Sequence, residues 1–217
     1  PTASDVSAST DEDSSVDVTL VGSDVDQDDL TYSLVTQASN GTLTLNGSVV
    51  TYTPNDNFNG SDSFTYKVSD GTVDSNVATV SITVNAVNDA PTAADVSAST
   101  DEDSSVDVTL VGSDVDSSIT YIIVTQPSNG TVSLTDNLAT YKPNDNFNGS
   151  DSFTYKVNDG TVDSNVATVS ITVNAVNDAP TASDVSASVD EDSSIDVTLV
   201  GSDVDQDDLT YSLVTQA

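Results

Sequence analysis

Residues 60–85 read GSDSFTYKVSDGTVDSNVATVSITVN. Phe64, Tyr66 and Val68 alternate with Thr65 and Lys67. Val80, Ile82 and Val84 alternate with Ser81 and Thr83. A period of two puts one set of side chains on a single face, so each run predicts a half-buried strand. Asp70-Gly71 between them marks a turn.

Working outward, Val16, Val18 and Leu20 repeat the alternation, and so do Leu30, Tyr32 and Leu34. Residues 4 to 9 read as a first strand. Residues 42 to 45 and 48 to 53 flank Asn46-Gly47, a strong hairpin signal. Thr, Val, Ser and Tyr dominate these runs, as pleated surfaces prefer, and no helical period occurs. Seven short strands in about 90 residues predict an all-β chain of β-sandwiches with immunoglobulin-like architecture. The aromatics Tyr32, Tyr52, Phe58, Phe64 and Tyr66 fall mostly on the apolar phase and read as core.

The pattern recurs. PTASDVSASTDEDSSVDVTLVGSDVD starts at Pro1, a near copy starts at Pro91, and a third starts at Pro180. A repeat of about 90 residues is too long for a solenoid and suits a small autonomous domain. The second copy is one residue shorter, where QDDL (Gln27 to Leu30) becomes SSI (Ser117 to Ile119). The expected division is 1–90, 91–179 and an incomplete third repeat, 180–217. The run begins at Pro1 and stops within a repeat, so it reads as an excerpt. The linkers NAVNDAPT, 85–92 and 174–181, are short, and proline keeps them extended.

Composition limits the chemistry. The chain has 36 acidic and 3 basic residues, a formal net charge of −33, and no Cys, His, Met or Trp. The three bases are Lys67, Lys142 and Lys156, so Arg is absent too. A polyanion of this kind neither neutralises phosphates nor seeks an anionic membrane, so nucleic acid and membrane insertion are not expected. Without imidazole or thiolate, the donors left are carboxylate, amide and hydroxyl oxygens, which suit calcium. High charge with low hydrophobicity would point to disorder, but the clean alternation argues against it.

The acids have fixed places. In a seven-strand sandwich, consecutive turns alternate between the two ends. The first turn (Asp11, Glu12, Asp13), the fifth (Asn55, Asp56, Asn57) and the exit linker (Asn88, Asp89) fall at one end. The second turn (Asp24, Asp26, then Asp28 and Asp29) and the sixth (Asp70-Gly71) fall at the other. Domains stacked end to end would gather Glu12, Asp56, Asn88, Asp89, Asp114 and Asp116, and reach Asp159. Such a cluster repels itself unless a cation is present. Two plainer readings compete: Asp and Asn as turn formers, and acids as salt adaptation.

Other motifs give little. NDNFNG (Asn55 to Gly60) has the rhythm of a calcium loop, but the position where an EF-hand needs Glu holds Tyr66. Asn40, Asn46 and Asn59 head formal glycosylation sequons that NG turns also explain.

DEDSSVDVTL, GSDVDQDDLTYSLV, the YTPNDNFNGSDSFTYKVSDG run and VNDAP together resemble the cadherin-like tandem repeats of large bacterial surface adhesins, of VCBS or tandem-95 type. The resemblance spans the chain. It implies calcium between consecutive domains. Glu12, Glu102 and Glu191 match the acid of a cadherin's first turn, and Asp56 and Asp145 its fifth-turn acid. Asn88 with Asp89 and Asn177 with Asp178 match the linker motif. Asp24 with Asp26, Asp114 with Asp116 and Asp203 with Asp205 match the DxD pair. A second junction would thus draw on Glu102, Asp145, Asn177, Asp178, Asp203 and Asp205. The linker and fifth turn are poorer in acids than a cadherin's, which implies fewer ions.

The implied role is a calcium-rigidified, non-catalytic extender at the cell surface, with calcium and neighbouring repeats as partners. A self-assembling surface or matrix fibre made of further copies is a second structural reading. A carbohydrate-binding module is a third, for which Phe58 and Phe147 are the only loop aromatics.

Overall fold

A computed structural model describes residues 1–215; Gln216 and Ala217, at the end of the expected third repeat, lie outside the described residues. The chain forms two compact units, Pro1–Asp89 and Ala90–Ala217. The second unit holds the second repeat together with the segment that follows it.

The first unit has nine strands: β1 (Thr2–Ser4), β2 (Val6–Asp11), β3 (Val16–Thr19), β4 (Val21–Ser23), β5 (Thr31–Thr36), β6 (Gly41–Asn46), β7 (Val49–Pro54), β8 (Gly60–Ser69) and β9 (Ala78–Asn85). They arise from seven runs of chain, because the first run breaks at Asp5 and the second at Leu20. One sheet has the order β2-β9-β8-β5 and the other β3-β7-β6, and β1 pairs with β4. β2 runs parallel to β9, and the other pairings are antiparallel. The break at Asp5 lets one run serve both layers: β1 joins β4 and β2 joins β9. Asp5 Oδ1 accepts the Thr79 N–H at 2.8 Å at this crossing.

Alternation becomes burial. Along β8 the inward positions are Asp62, Phe64, Tyr66 and Val68; along β9 they are Ala78, Val80, Ile82 and Val84. With Val18, Leu20, Val50 and Tyr52 they form one core. Each large apolar side chain so buried contributes about 1.5–3 kcal/mol. Asp62 lies on the inward face. Its carboxylate accepts the N–H groups of Ser39, Asn40 and Ser63 and the Tyr52 hydroxyl. Burial alone would raise the Asp62 carboxyl, but these donors hold it below the usual carboxylate value. Gly41 lets the Tyr52 ring lie against the chain, since a Cβ there would meet Tyr52 Cε2 at 2.5 Å.

The β6–β7 hairpin closes one residue later than the NG signal implied. Asn46 pairs with Val49, so Gly47 and Ser48 form the loop, and Gly47 takes φ +62°. The second repeat uses Asp136 there, at φ +53°.

The second unit repeats the plan: β10 (Thr92–Ala94), β11 (Val96–Asp101), β12 (Val106–Thr109), β13 (Val111–Ser113), β14 (Thr120–Thr125), β15 (Gly130–Thr135), β16 (Leu138–Pro143), β17 (Gly149–Asn158) and β18 (Ala167–Asn174). The sheet orders are the same. Beyond them, β19 (Thr181–Ser183) pairs with β20 (Val200–Ser202). The described residues contain no helix, and none is therefore long and apolar enough to cross a membrane.

Candidate metal centre

The first acidic turn positions a buried carboxylate. Asp13 adopts φ +57°, a left-handed conformation that aspartate tolerates. The Glu12 N–H bonds to Asn85 O at 2.9 Å, which fixes the turn on the end of β9. Glu12 is 3% exposed. Its Oε1 accepts the Val87 N–H at 2.5 Å and its Oε2 accepts Asn59 Nδ2 at 3.3 Å. Glu102 repeats this with Val176 N at 2.5 Å and Asn148 Nδ2 at 3.4 Å, and is 4% exposed. These donors are neutral, so the carboxylate has hydrogen bonds but no balancing charge.

The opposite end carries the DVD turn. The first aspartate spends one oxygen on the turn. Asp24 Oδ1 accepts the Asp26 N–H at 2.8 Å, Asp114 Oδ1 that of Asp116 at 2.9 Å, and Asp203 Oδ1 that of Asp205 at 2.9 Å. The second oxygen is left for another partner. In the first repeat Asp24 Oδ2 lies 3.0 Å from the Pro1 ammonium, with both side chains nearly buried. The hydrogen bond to Asp24 raises the amine's pKa against a desolvation cost, and the charges of Asp24, Asp70 and Asp26 add to the rise. Asp24 is correspondingly held below the usual carboxylate value, first by that ammonium and then by the Asp26 N–H. In the second repeat the equivalent oxygen, Asp114 Oδ2, is buried without a hydrogen-bond partner.

Within the second unit, the second repeat meets the segment that follows it. The Asp178 N–H donates to Asp205 Oδ2 at 2.6 Å. Asp178 Oδ2 is buried without a hydrogen-bond partner. Burial raises the Asp178 carboxyl above its usual range, and the charges of Asp205, Asp103, Glu102 and Asp203 push it further. A cleft of about 550 Å³ opens beside it, lined by Asn146, Asn148, Asn177, Asp205 and Asp207 with Ala175, Val176 and Val204. Among the described residues no group of three or more acidic side chains is drawn tightly enough together to hold a metal ion. Carboxylates that repel one another stand apart, and the donors that surround the cleft are all oxygens or amides.

Four of the sequence-derived ligands for this junction, Glu102, Asp178, Asp203 and Asp205, fall into one electrostatic group. Asn177 lines the cleft, and its Nδ2 donates to Asp178 O at 2.8 Å. Asp145 is exposed and is not brought in; its neighbour Asn146 lines the cleft instead. Glu12, Asp56, Asn88 and Asp89 belong to the first unit and Asp114 and Asp116 to the second. Of these, Asp56, Asn88 and Asp116 are exposed, and Asp89 and Asp114 are half-buried. Asp103, Asn146, Asn148 and Asp207, not among the ligands expected from sequence, also lie at this junction. The DED triplet and the NDNFNG rhythm were the signals that carried the first three.

A family model described as bacterial Ig domain matches residues 1–83 and 88–172. No curated protein sequence matches the chain. Among solved structures the chain is similar to the EC1-2 segment of human mucin-like protocadherin. The identity is 17% over 81% of this chain and 98% of that one, with a TM-score of 0.51. It is also similar to a protocadherin GammaB4 extracellular domain, at 17% identity over 77% of this chain and 33% of that one, TM-score 0.45. An endo-fucoidan hydrolase of glycoside hydrolase family 107 matches at 22% identity over 79% of this chain, TM-score 0.33. The chain spans 28% of that hydrolase. The first likeness speaks for the fold, a tandem cadherin-like β-sandwich; the other two carry no argument.

Proposed function

The chain belongs to the bacterial Ig domain family, and on that premise we propose that it is a calcium-rigidified extracellular spacer of a large bacterial surface adhesin. Tandem Ig-like sandwiches are a structural repeat, and the role is mechanical, not catalytic. The observation that carries the calcium reading is Asp178. Its Oδ2 is buried without a hydrogen-bond partner amid the charges of Asp205, Asp103, Glu102 and Asp203. A hard divalent cation with six to eight oxygen ligands is the partner that chemistry selects.

Glu102, Asp178, Asp203 and Asp205 would hold the ion, with the side-chain carbonyls of Asn146 and Asn177 at the cleft wall. By repeat identity Glu12, Asn88 and Asp89 are the counterparts of Glu102, Asn177 and Asp178, and Asp114 and Asp116 those of Asp203 and Asp205. The ion would neutralise the cluster and tie the linker to the next turn. Extracellular sites bind calcium at about 10⁻⁴ to 10⁻³ M. At a free concentration a hundred times Kd, each site adds about 2.7 kcal/mol to folding.

Small-angle scattering and melting curves of the 217-residue chain, in calcium and in EDTA, test this. A longer, stiffer particle that melts higher in calcium supports it. Shape and melting that ignore calcium overturn it and leave the acids as solvation.

A further inference from the structure

Both complete repeats contain Asn-Gly pairs in two settings, and the first has one more, Asn46-Gly47, at its hairpin loop. At Asn129-Gly130 the chain is locked. The Asn129 N–H donates to Asp151 Oδ2 at 2.9 Å, and its carbonyl accepts the Asn144 N–H at 2.8 Å. A Cβ on Gly130 would meet Lys142 O at 2.5 Å, so that glycine is packed closely against the neighbouring strand. Asn40-Gly41 is locked in the same way, through Asp62 Oδ2 and the Asn55 N–H.

Asn148-Gly149 is different. Asn148 is exposed and precedes β17, and Gly149 takes φ +122° with only Phe147 Cζ near a Cβ, at 3.8 Å. The Asn148 side-chain amide donates to Glu102 Oε2 at 3.4 Å, a long hydrogen bond. Gly149 is the first residue of its strand, so freeing its N–H frays one end of the ladder and leaves the middle intact. Asn59-Gly60 repeats each feature, with Gly60 at φ +124° and Asn59 Nδ2 at 3.3 Å from Glu12 Oε2. Asparagine is among the chemically labile residues, and a following glycine leaves the attacking nitrogen least hindered.

We propose that Asn148 and Asn59 are deamidation sites that turn a neutral donor beside the buried glutamate into an extra cation ligand. The metal half of this rests on the calcium reading above. The Gly149 backbone nitrogen attacks Asn148 Cγ and forms an N–Cγ bond. The Cγ–Nδ2 bond breaks, and ammonia leaves with the proton from the glycine N–H. Solvent water then opens the imide at one of its two carbonyls. The product is aspartate or isoaspartate at position 148, with no redox change. Before the reaction the amide donates to Glu102. Afterwards two carboxylates face each other at the rim of the cleft, and only a cation or a proton relieves them. The junction becomes less stable without metal and binds metal more tightly. This is a one-way clock, set by the age of the protein.

The test is peptide mapping by mass spectrometry of the full chain, aged in warm, mildly alkaline buffer with EDTA. Asn59 and Asn148 are expected to convert several-fold faster than Asn40 and Asn129. Equal or slower conversion overturns the assignment. Asn148→Asp is then compared with the parent and with Asn148→Gln, which keeps the amide but cyclises slowly. Asn148→Asp should bind calcium several-fold more tightly than both the parent and Asn148→Gln, and melt lower in EDTA than either. Unchanged calcium binding in Asn148→Asp overturns the ligand role. If the parent itself ignores calcium, the junction reading falls and the ligand role with it. The mass map needs no metal and still decides whether these two sites convert.

Discussion

Glu12 Oε1 accepts the Val87 backbone N–H at 2.5 Å, so the first acidic turn of the sandwich grips its own exit linker. Glu102 does the same to Val176. The grip separates two roles that one glutamate can have, an acceptor for the linker and a charge for a cation. Glu102→Gln keeps a carbonyl for the Val176 N–H and removes the buried charge. It should fold with near-parental melting in EDTA and lose most of the calcium-dependent rise. Glu102→Ala strands a buried donor and should cost about 1–3 kcal/mol in EDTA as well. Denaturant melts of both variants, with and without calcium, check the separation. Equal calcium responses in parent and Glu102→Gln would leave the grip as the residue's whole role.

The carboxylates give the pH dependence two opposed signs. Asp178 titrates above its usual value in the folded chain, so its ionised form opposes folding. That cost is present at neutral pH and is relieved as pH falls through the raised value. Asp62 and Asp151 titrate below theirs. Their contribution is complete above the ordinary aspartate value, about 3.9, and is lost as pH falls through the depressed folded one. In EDTA the melting temperature should therefore rise from neutral pH towards that value and drop below it. In calcium the first leg should reverse, because protons compete with the metal at Asp178. Melting curves across this range, with and without calcium, read both legs.

The Tyr66 hydroxyl lies 2.5 Å from Ser4 O, 2.8 Å from Val21 O and 3.1 Å from Val21 N. Ser4 and Val21 are the last pair of β1 and β4, where the first run crosses between sheets. One buried hydroxyl thus pins both strands at the crossing. Tyr155 repeats the arrangement with Ala94 and Val111. Tyr66→Phe should cost the first unit about 1–3 kcal/mol, while the second keeps its melting behaviour. Calorimetry that shows one transition shifted down and one unmoved would confirm the assignment; two unshifted transitions would remove it.

Alternation made the strands legible, because burial on one face leaves a period-two trace in any sequence. Phe64, Tyr66 and Val68 point inward as the pattern requires. The sheet switch at Asp5 left no such trace, since the alternation continues on both sides of the break. Asp62 read as one more acid, yet it is 8% exposed and serves the core as an acceptor for three N–H groups and Tyr52. The site was legible to the extent that turns fix it. Glu102, Asp178, Asp203 and Asp205 lie in loops whose position the fold dictates. Asp145 and Asn146 are adjacent in one turn, and which of them faces the cleft depends on the left-handed φ of Asn146, +57°. Composition carries no signal for that.

The segment after residue 179 shows how far local sequence determines a strand. Ile195, Val197 and Leu199 occupy the positions of Val16, Val18 and Leu20 and differ only by Ile for Val. Val18 and Leu20 are 3% and 2% exposed; Val197 and Leu199 are 45% and 44% exposed. The copies of β2, β3 and β5 form no strand here, whereas the copies of β1 and β4 pair as β19 and β20. The difference is the partner: β3 is a strand because β7 lies against it, and β1 needs only β4. Propensity cannot replace the missing sheet, as pairing and burial supply most of a strand's stability. Hydrogen exchange on the 217-residue chain should therefore protect the Val18 amide by the global unfolding free energy and leave Val197 close to unprotected. Amides of β19 and β20 should fall between them. Protection of Val197 equal to that of Val18 would mean that this segment finds a second sheet in solution, and concentration dependence of that protection would identify another copy of the chain as its source.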